Sequence, residues 1–158
     1  AQLIGKTNQF NLTTRRHGLP QLATFMRSTD YVHLALRLRD RYSDHGLVSV
    51  MIARCEGEVV DIDTWLMSCR VIGRTVEATM LEHLCRHAAQ LGCTMLQGTY
   101  IPTQKNAMAA DVYAKHGFES FNQSNGHHVW RYDLTAKGPI ANPFVRSVDS
   151  WESGDGTP

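Results

Sequence analysis

Between Tyr31 and Cys69 apolar side chains recur at about every second position, and from Val76 to Leu91 they recur at every third or fourth. A period of two belongs to a pleated strand with one buried face, and a period of 3.6 to a helix with one buried stripe. The chain thus holds a run of strands followed directly by one long helix, which restricts it to folds in which a helix covers a sheet. Three strands share the first stretch. Tyr31 to Arg39 alternates, Leu47 to Ala53 follows the turn at 42–46, and Val59 to Cys69 follows the turn Glu56, Gly57, Glu58. Connections this short join antiparallel neighbours, so the three predict a meander. In the helix Val76, Met80, Leu84, Ala88 and Leu91 form the stripe, with Leu81 and Cys85 widening it and Gly92 placed as the carboxyl cap. Glu77 falls in its first turn, where the helix dipole favours an anion.

The flanking segments extend this pattern. Phe10 to Arg16 reads as a short strand, and Leu19 to Ser28 as a helix with Leu22, Phe25 and Met26 on one face. After the long helix come a strand from Thr94 to Tyr100 and a helix from Thr103, its amino cap, to Gly117. Strands at 118–121 and 129–134 follow, joined by the turn at Asn125 and Gly126. The expected architecture is a mixed α/β fold of the α+β kind, a central sheet with helices on its faces. It occupies residues 1–136. From Lys137 to Pro158 the text is rich in Gly, Pro, Ser and Asp and reads as a linker or tail, in which Ile140, Phe144, Val145 and Trp151 are apolar residues able to dock.

Composition excludes several classes. The chain has 158 residues, one domain's worth, and its 16 Lys+Arg against 15 Asp+Glu leave a net charge of +1. So balanced a charge gives no general case for nucleic acid or an anionic membrane, and any anion site must be local. No apolar run reaches the roughly 20 residues of a membrane span, and the first ten residues lack a signal-peptide pattern; a soluble cytoplasmic protein is expected. The four cysteines, Cys55, Cys69, Cys85 and Cys93, show no metal-type pairing and are too sparse for a disulfide framework. No metal site is expected.

Two junctions carry candidate chemistry. The first joins the longest strand to the longest helix: Cys69, Arg70, Val71, Ile72, Gly73, Arg74, Thr75. A glycine there lets backbone approach a ligand, and the free amides of a first helical turn attract phosphate. Surface arginines on an ordinary turn are the competing reading. The second is Pro102, Thr103, Gln104, Lys105, Asn106, whose amide and ammonium groups suit a carbonyl or phosphate. Cys69, at the strand's end beside Arg70 and Arg74, sits where positive potential favours a thiolate nucleophile, although burial as a small hydrophobe is the commoner fate of a free cysteine. Strict alternation puts Asp61, Asp63, Trp65, Met67 and Cys69 on one face, and a bulge would change that parity. Asp63 and His45 are the candidate bases.

The sequence from Arg70 to Thr75 resembles the R/Q-x-x-G-x-G/A turn of the Gcn5-related N-acetyltransferase (GNAT) family, with Thr75 at the last small position. Asn106, Ala110, Tyr113, Lys115, Gly117 and Phe118 are similar to that family's later N-x-x-A-x-x-x-Y-x-K-x-G-F pattern, with Ala110 one position late. The resemblance implies a mixed, largely antiparallel sheet flanked by helices, and a turn whose amides hold the pyrophosphate of coenzyme A or the phosphate of a carrier's phosphopantetheine. Over residues 2–134 a closer resemblance, in the stretches at 6–15, 38–44, 66–74 and 100–106, is to the carboxyl-terminal part of FkbH-like glyceryltransferase/phosphatases of polyketide assembly. That family implies a preceding haloacid-dehalogenase-like (HAD-like) phosphatase domain with magnesium and an Asp-x-Asp nucleophile. No such segment is present here, and Asp61 and Asp63 lie within a strand. It also implies transfer of a glyceryl group from 1,3-bisphosphoglycerate to the phosphopantetheine thiol of an acyl carrier protein, a reaction for which Cys69, by its position, is the candidate nucleophile. In that scheme Arg70, Val71, Gly73, Arg74, Thr75 and Lys105 bind phosphate, and Thr103 and Asn106 polarise the carbonyl. Acetyl-coenzyme A-dependent N-acetylation and a non-catalytic carrier-docking role are the alternatives.

Overall fold

The computed structural model describes residues 9–143 and residue 145. Six strands form one sheet: β1 (Tyr31–Arg39), β2 (Asp44–Glu56), β3 (Val59–Met67), β4 (Met95–Tyr100), β5 (Glu119–Ser124) and β6 (His127–Asp133). Their spatial order is β1-β2-β3-β4-β6-β5, and every neighbouring pair is antiparallel except β3 with β4. The exception follows from the helix that intervenes. Helix α1 (Leu19–Arg27) precedes β1, and α2 (Val76–Gln90) crosses from β3 back to the start of β4, as a parallel pair requires. Two short helices, α3 (Val112–Lys115) and α4 (Leu134–Lys137), complete the elements of the described residues.

Helix α2 buries Val76, Met80, Leu81, Leu84, Cys85 and Ala88 in one core cluster with Val60, Ile62, Trp65 and Met67 of β3 and Leu96 and Tyr100 of β4. Gly92 caps it at φ +74°, and Asn125 and Gly126, both at positive φ, form the tight turn into β6. The alternation along β3 is interrupted. Ile52 opposes Thr64 and Ala53 opposes Ile62, which leaves Asp63 as the extra residue of a bulge. Past the bulge the parity reverses, so Trp65 and Met67 join Val60 and Ile62 in the core instead of sharing a face with Asp61 and Asp63.

Several expected elements change. Phe10 to Arg16 is not a strand: it makes a single bridge, Asn11 to Leu66, and Thr14 at φ +59° ends the extended run. Strand β3 stops at Met67, and Cys69 instead opens a 3-10 turn, Cys69–Val71. The helix expected from Thr103 to Gly117 reduces to a 3-10 turn, Ala107–Ala109, and the four residues of α3. The start signal itself forms, since the Thr103 hydroxyl accepts Lys105 N and Asn106 N and Asn106 Oδ1 accepts Thr103 N as in a capping box, but Asn106 at φ −107° and ψ 16° leaves the helical conformation and no regular helix follows. Helix α1 buries none of its residues and leaves Met26 75% exposed, while Phe25 stacks on Tyr31 at 4.5 Å.

The start of the tail packs on the domain. The Tyr132 hydroxyl donates to the Gly138 carbonyl at 2.9 Å, Ile140 packs on the core, and the Asn142 amide donates to Thr75 O and Thr79 Oγ1 at 2.9 and 2.6 Å. Phe144 and Trp151 lie outside the described residues.

Candidate functional site

Strands β3 and β4 pair only from Val59 to Ile62 and from Met95 to Gly98, and beyond that point they diverge. Divergence exposes backbone groups on both sides of the gap, and buried groups of that kind must find partners. The chain's own residues 10–13 supply them. Met67 N donates to Phe10 O at 3.3 Å, Ile101 N to Leu12 O at 2.8 Å, and the Thr13 hydroxyl to Asp63 O at 2.8 Å. Asn106 anchors this insert from the β4 side: fully buried, it donates to Asn11 O and Ile101 O, both at 2.9 Å, while its Oδ1 accepts Thr103 N at 2.7 Å. Its carboxamide is thereby committed to holding the gap closed.

Because the insert runs antiparallel to β3, residues 15–17 arrive at the bulge. Arg15 forms an ion pair with the Asp63 carboxylate, His17 Nε2 lies 2.6 Å from Asp63 Oδ2, and the Thr64 hydroxyl donates to the same oxygen at 2.8 Å. Burial pushes the Asp63 carboxyl up, but the bonds from Thr64, His17 and Arg15 outweigh it and hold the group below the usual carboxylate value. One register step away, Asp61 accepts from Gln97 Nε2 at 3.2 Å, and Arg131 donates to Gln97 Oε1 at 2.9 Å. Burial raises the Asp61 carboxyl.

Sequence reasoning selected Asp63 but missed Arg15 and His17. The signal was the adjacent pair Arg15 and Arg16 followed by His17 just after the insert, and only the tertiary path of residues 10–13 carries those side chains to the bulge.

The loops after β3 and β4 leave the same edge of the sheet, since the two strands are parallel. That edge holds the remaining candidates and is where open α/β sheets characteristically place ligands. Cys69 is exposed, whereas Cys85 and Cys93 are buried and Cys55 is partly so. Arg70, Gly73, Arg74, Thr103 and Lys105 are also exposed, and Val71 is buried in the core. Gly73 has φ +76° and Thr75 φ +66°, so Thr75 takes the left-handed conformation that favours glycine. The Gly73 amide donates to Glu77 Oε1 at 2.7 Å, so a carboxylate of the helix's own first turn occupies one of the amides offered to an anion.

Not all candidates converge. Asp63 and Met67 are four strand residues apart, roughly 13 Å, which keeps the Asp63–His17 pair away from Cys69. His45 lies at the same sheet end as Cys69, since Ser68 N donates to Val48 O, but its Nε2 sits 3.0 Å from Asp40 Oδ2. Tyr113 is fully buried beside Gly98, between Trp65 and Phe118. Among the described residues no three His, Cys, Asp or Glu side chains are grouped as metal ligands, and no helix is long and apolar enough to cross a membrane.

Solved structures with the same arrangement of sheet and helices identify the architecture. The GNAT domain of PAT from S. lividans superposes with a TM-score of 0.61 at 17% identity over 75% of this chain and 70% of that one. The fold is GNAT-like. A PaiA N-acetyltransferase from Thermoplasma acidophilum, solved with coenzyme A, has a TM-score of 0.61 at 13% identity over 72% and 70% of the two chains. The ribosomal-protein-S18-alanine N-acetyltransferase of Escherichia coli has 0.59 at 12% identity, over 92% of this chain and 90% of that one. No family model and no curated protein sequence matches the chain. At these identities the GNAT likeness is one of fold, and the chemistry has to be argued from the site.

Proposed function

We propose that this GNAT-like domain transfers a glyceryl group, carried as a thioester on Cys69, to the phosphopantetheine thiol of an acyl carrier protein. The observation that carries the proposal is that Cys69 is the exposed thiol of the four and lies at the carboxyl edge of the parallel pair, four residues before the Gly73 turn. The Cys69 thiolate attacks the acyl carbon of 1,3-bisphosphoglycerate. A C–S bond forms, the acyl C–O bond breaks, and the phosphate leaves. Arg70, Arg74 and Lys105 balance its charge, and the hydroxyl of Thr103, whose oxygen accepts the Lys105 and Asn106 amides at 3.2 Å, polarises the acyl carbonyl. The carrier thiol then displaces Cys69 by thioester exchange. Removal of the remaining phosphate falls to a HAD-like domain in cis and its magnesium. The test is single-turnover transfer from 1,3-bisphosphoglycerate to a phosphopantetheinylated carrier protein: Cys69→Ser should abolish it, and transfer that survives the substitution refutes the proposal.

One observation favours a second reading. The half-buried Asp63–His17 pair at the bulge is a suitable proton acceptor for an amine, well removed from Cys69. If acetyl-coenzyme A supports amine acetylation that Cys69→Ala leaves intact and His17→Ala removes, N-acetyl transfer replaces glyceryl transfer as the account.

A further inference from the structure

Two of the cysteines that the proposed transfer does not use face one another. Cys55, next to last in β2, and Cys93, two residues before β4, bring their Sγ atoms to 2.8 Å, with both thiols beside the carbonyl of Gly57. The approach is built into the backbone. Cys55 N donates to Asp30 O at 2.6 Å and Cys93 N to Ala88 O at 2.8 Å, while Thr94 N and Met95 N both donate to Glu58 O in the turn between β2 and β3. Each cysteine is thus pinned, and the thiols meet without any chain movement. A contraction of about 0.8 Å turns this contact into a covalent bond of disulfide length.

We propose that Cys55 and Cys93 are a dithiol–disulfide site, oxidised by small-molecule disulfides of the glutathione class. Cys55 is partly exposed and Cys93 is 4% exposed, so Cys55 is the entry point. Its thiolate attacks one sulfur of the disulfide, forming a mixed disulfide and expelling one thiolate. Cys93 then gives up its proton to solvent as its sulfur attacks the Cys55 sulfur, which expels the second thiolate. Two protein S–H bonds are lost, one S–S bond is gained, and the small disulfide is reduced to two thiols. Burial and the neighbouring Cys55 thiol push Cys93 up to about 12, which makes this second step the slow one at neutral pH. The product ties the end of β2 to the entry of β4 across the start of β3, closing a loop between residues 38 apart. It lies at the opposite end of β3 from Cys69, because Cys55 opposes Val60.

The test is to incubate the folded chain with oxidised glutathione, alkylate it after unfolding, and read intact mass and peptide map. The expected product has Cys55 and Cys93 joined and blocked to alkylation, and melts about 8–15 °C higher than the reduced chain, reversed by dithiothreitol. Cys55→Ser and Cys93→Ala should each abolish the cross-link and the shift. The proposal is overturned if both thiols remain alkylatable once exposed Cys69 is fully modified. It is equally overturned if a glutathione adduct persists on Cys55, if either cysteine joins another partner, or if the oxidised chain melts no higher.

Discussion

Replacing Gly98 with alanine is the most demanding test of the packing that underlies β4. A Cβ at position 98 would overlap Cζ, Cε1 and the hydroxyl of Tyr113, a ring with no exposed surface that lies 6.2 Å from Trp65 and 5.1 Å from Phe118. Carbon atoms in contact normally keep about 3.5–4.0 Å, so the ring must shift by more than an ångström against two other buried aromatics. Overpacking typically costs 1–3 kcal/mol where neighbours can yield, and expelling a buried ring costs about 3–5 kcal/mol. With a rigid ring on the far side the higher range applies, and for a chain of this length it corresponds to a loss of about 6–20 °C in Tm. The cause is pairwise, so a double-mutant cycle isolates it: once Tyr113→Ala has removed the ring, adding Gly98→Ala should cost under about 1 kcal/mol. Thermal and urea melts of the four proteins decide the matter. Additive effects, or a single Gly98→Ala within about 1 kcal/mol of the parent, would refute the reasoning.

Further outcomes follow from the same geometry. Among the described residues the buried Tyr113 hydroxyl has no hydrogen-bond partner, so Tyr113→Phe should stabilise the fold by about 1 kcal/mol in urea melts. Asp63→Asn should cost about 1 kcal/mol at pH 7 after solvent screening. Because the folded-state pKa of Asp63 is depressed below its ordinary 3.8, that difference is present above pH 3.8 and is lost as pH falls through the lower folded value. Asp61→Asn should do the reverse. Burial raises this carboxyl above 3.8, so its charge opposes folding at pH 7, and the amide should gain up to about 1 kcal/mol, a gain that disappears below pH 3.8. Thr75→Gly should stabilise by about 1 kcal/mol in chemical denaturation, since it relieves a β-branched residue at φ +66°.

The elements whose signals are local were legible in the sequence. The β1–β3 meander is written in the two-residue period, α2 in the spacing from Val76 to Ala88, and the hairpin turn in Asn125 and Gly126. The segment from Phe10 to Thr13 alternates like a strand, but its partners are Leu66, Met67 and Ile101, more than 50 residues away, and nothing nearby marks the place where β3 and β4 part. The bulge at Asp63 is likewise a property of the pairing with Ile52 and Ala53, and it reverses the face of every later residue of β3. After β4 the cap at Thr103 and Asn106 forms as the pattern reads, but the Asn106 carboxamide also donates to Asn11 O, 95 residues away, a long-range tie the local pattern does not show, and no continuous helix follows. At the site, the edge carrying Cys69, Gly73 and Lys105 follows from element order alone, whereas the Asp63, Arg15 and His17 cluster needs the tertiary course of the insert.

Transfer through Cys69 stands or falls on a covalent intermediate. Rapid acid quench of the chain mixed with 1,3-bisphosphoglycerate, followed by intact mass and peptide mapping, reads it directly. The account predicts one phosphoglyceryl thioester, labile to hydroxylamine, on the peptide containing Cys69, and its loss in Cys69→Ala with the fold preserved. An adduct retained in Cys69→Ala, or mapped to any other residue, contradicts it.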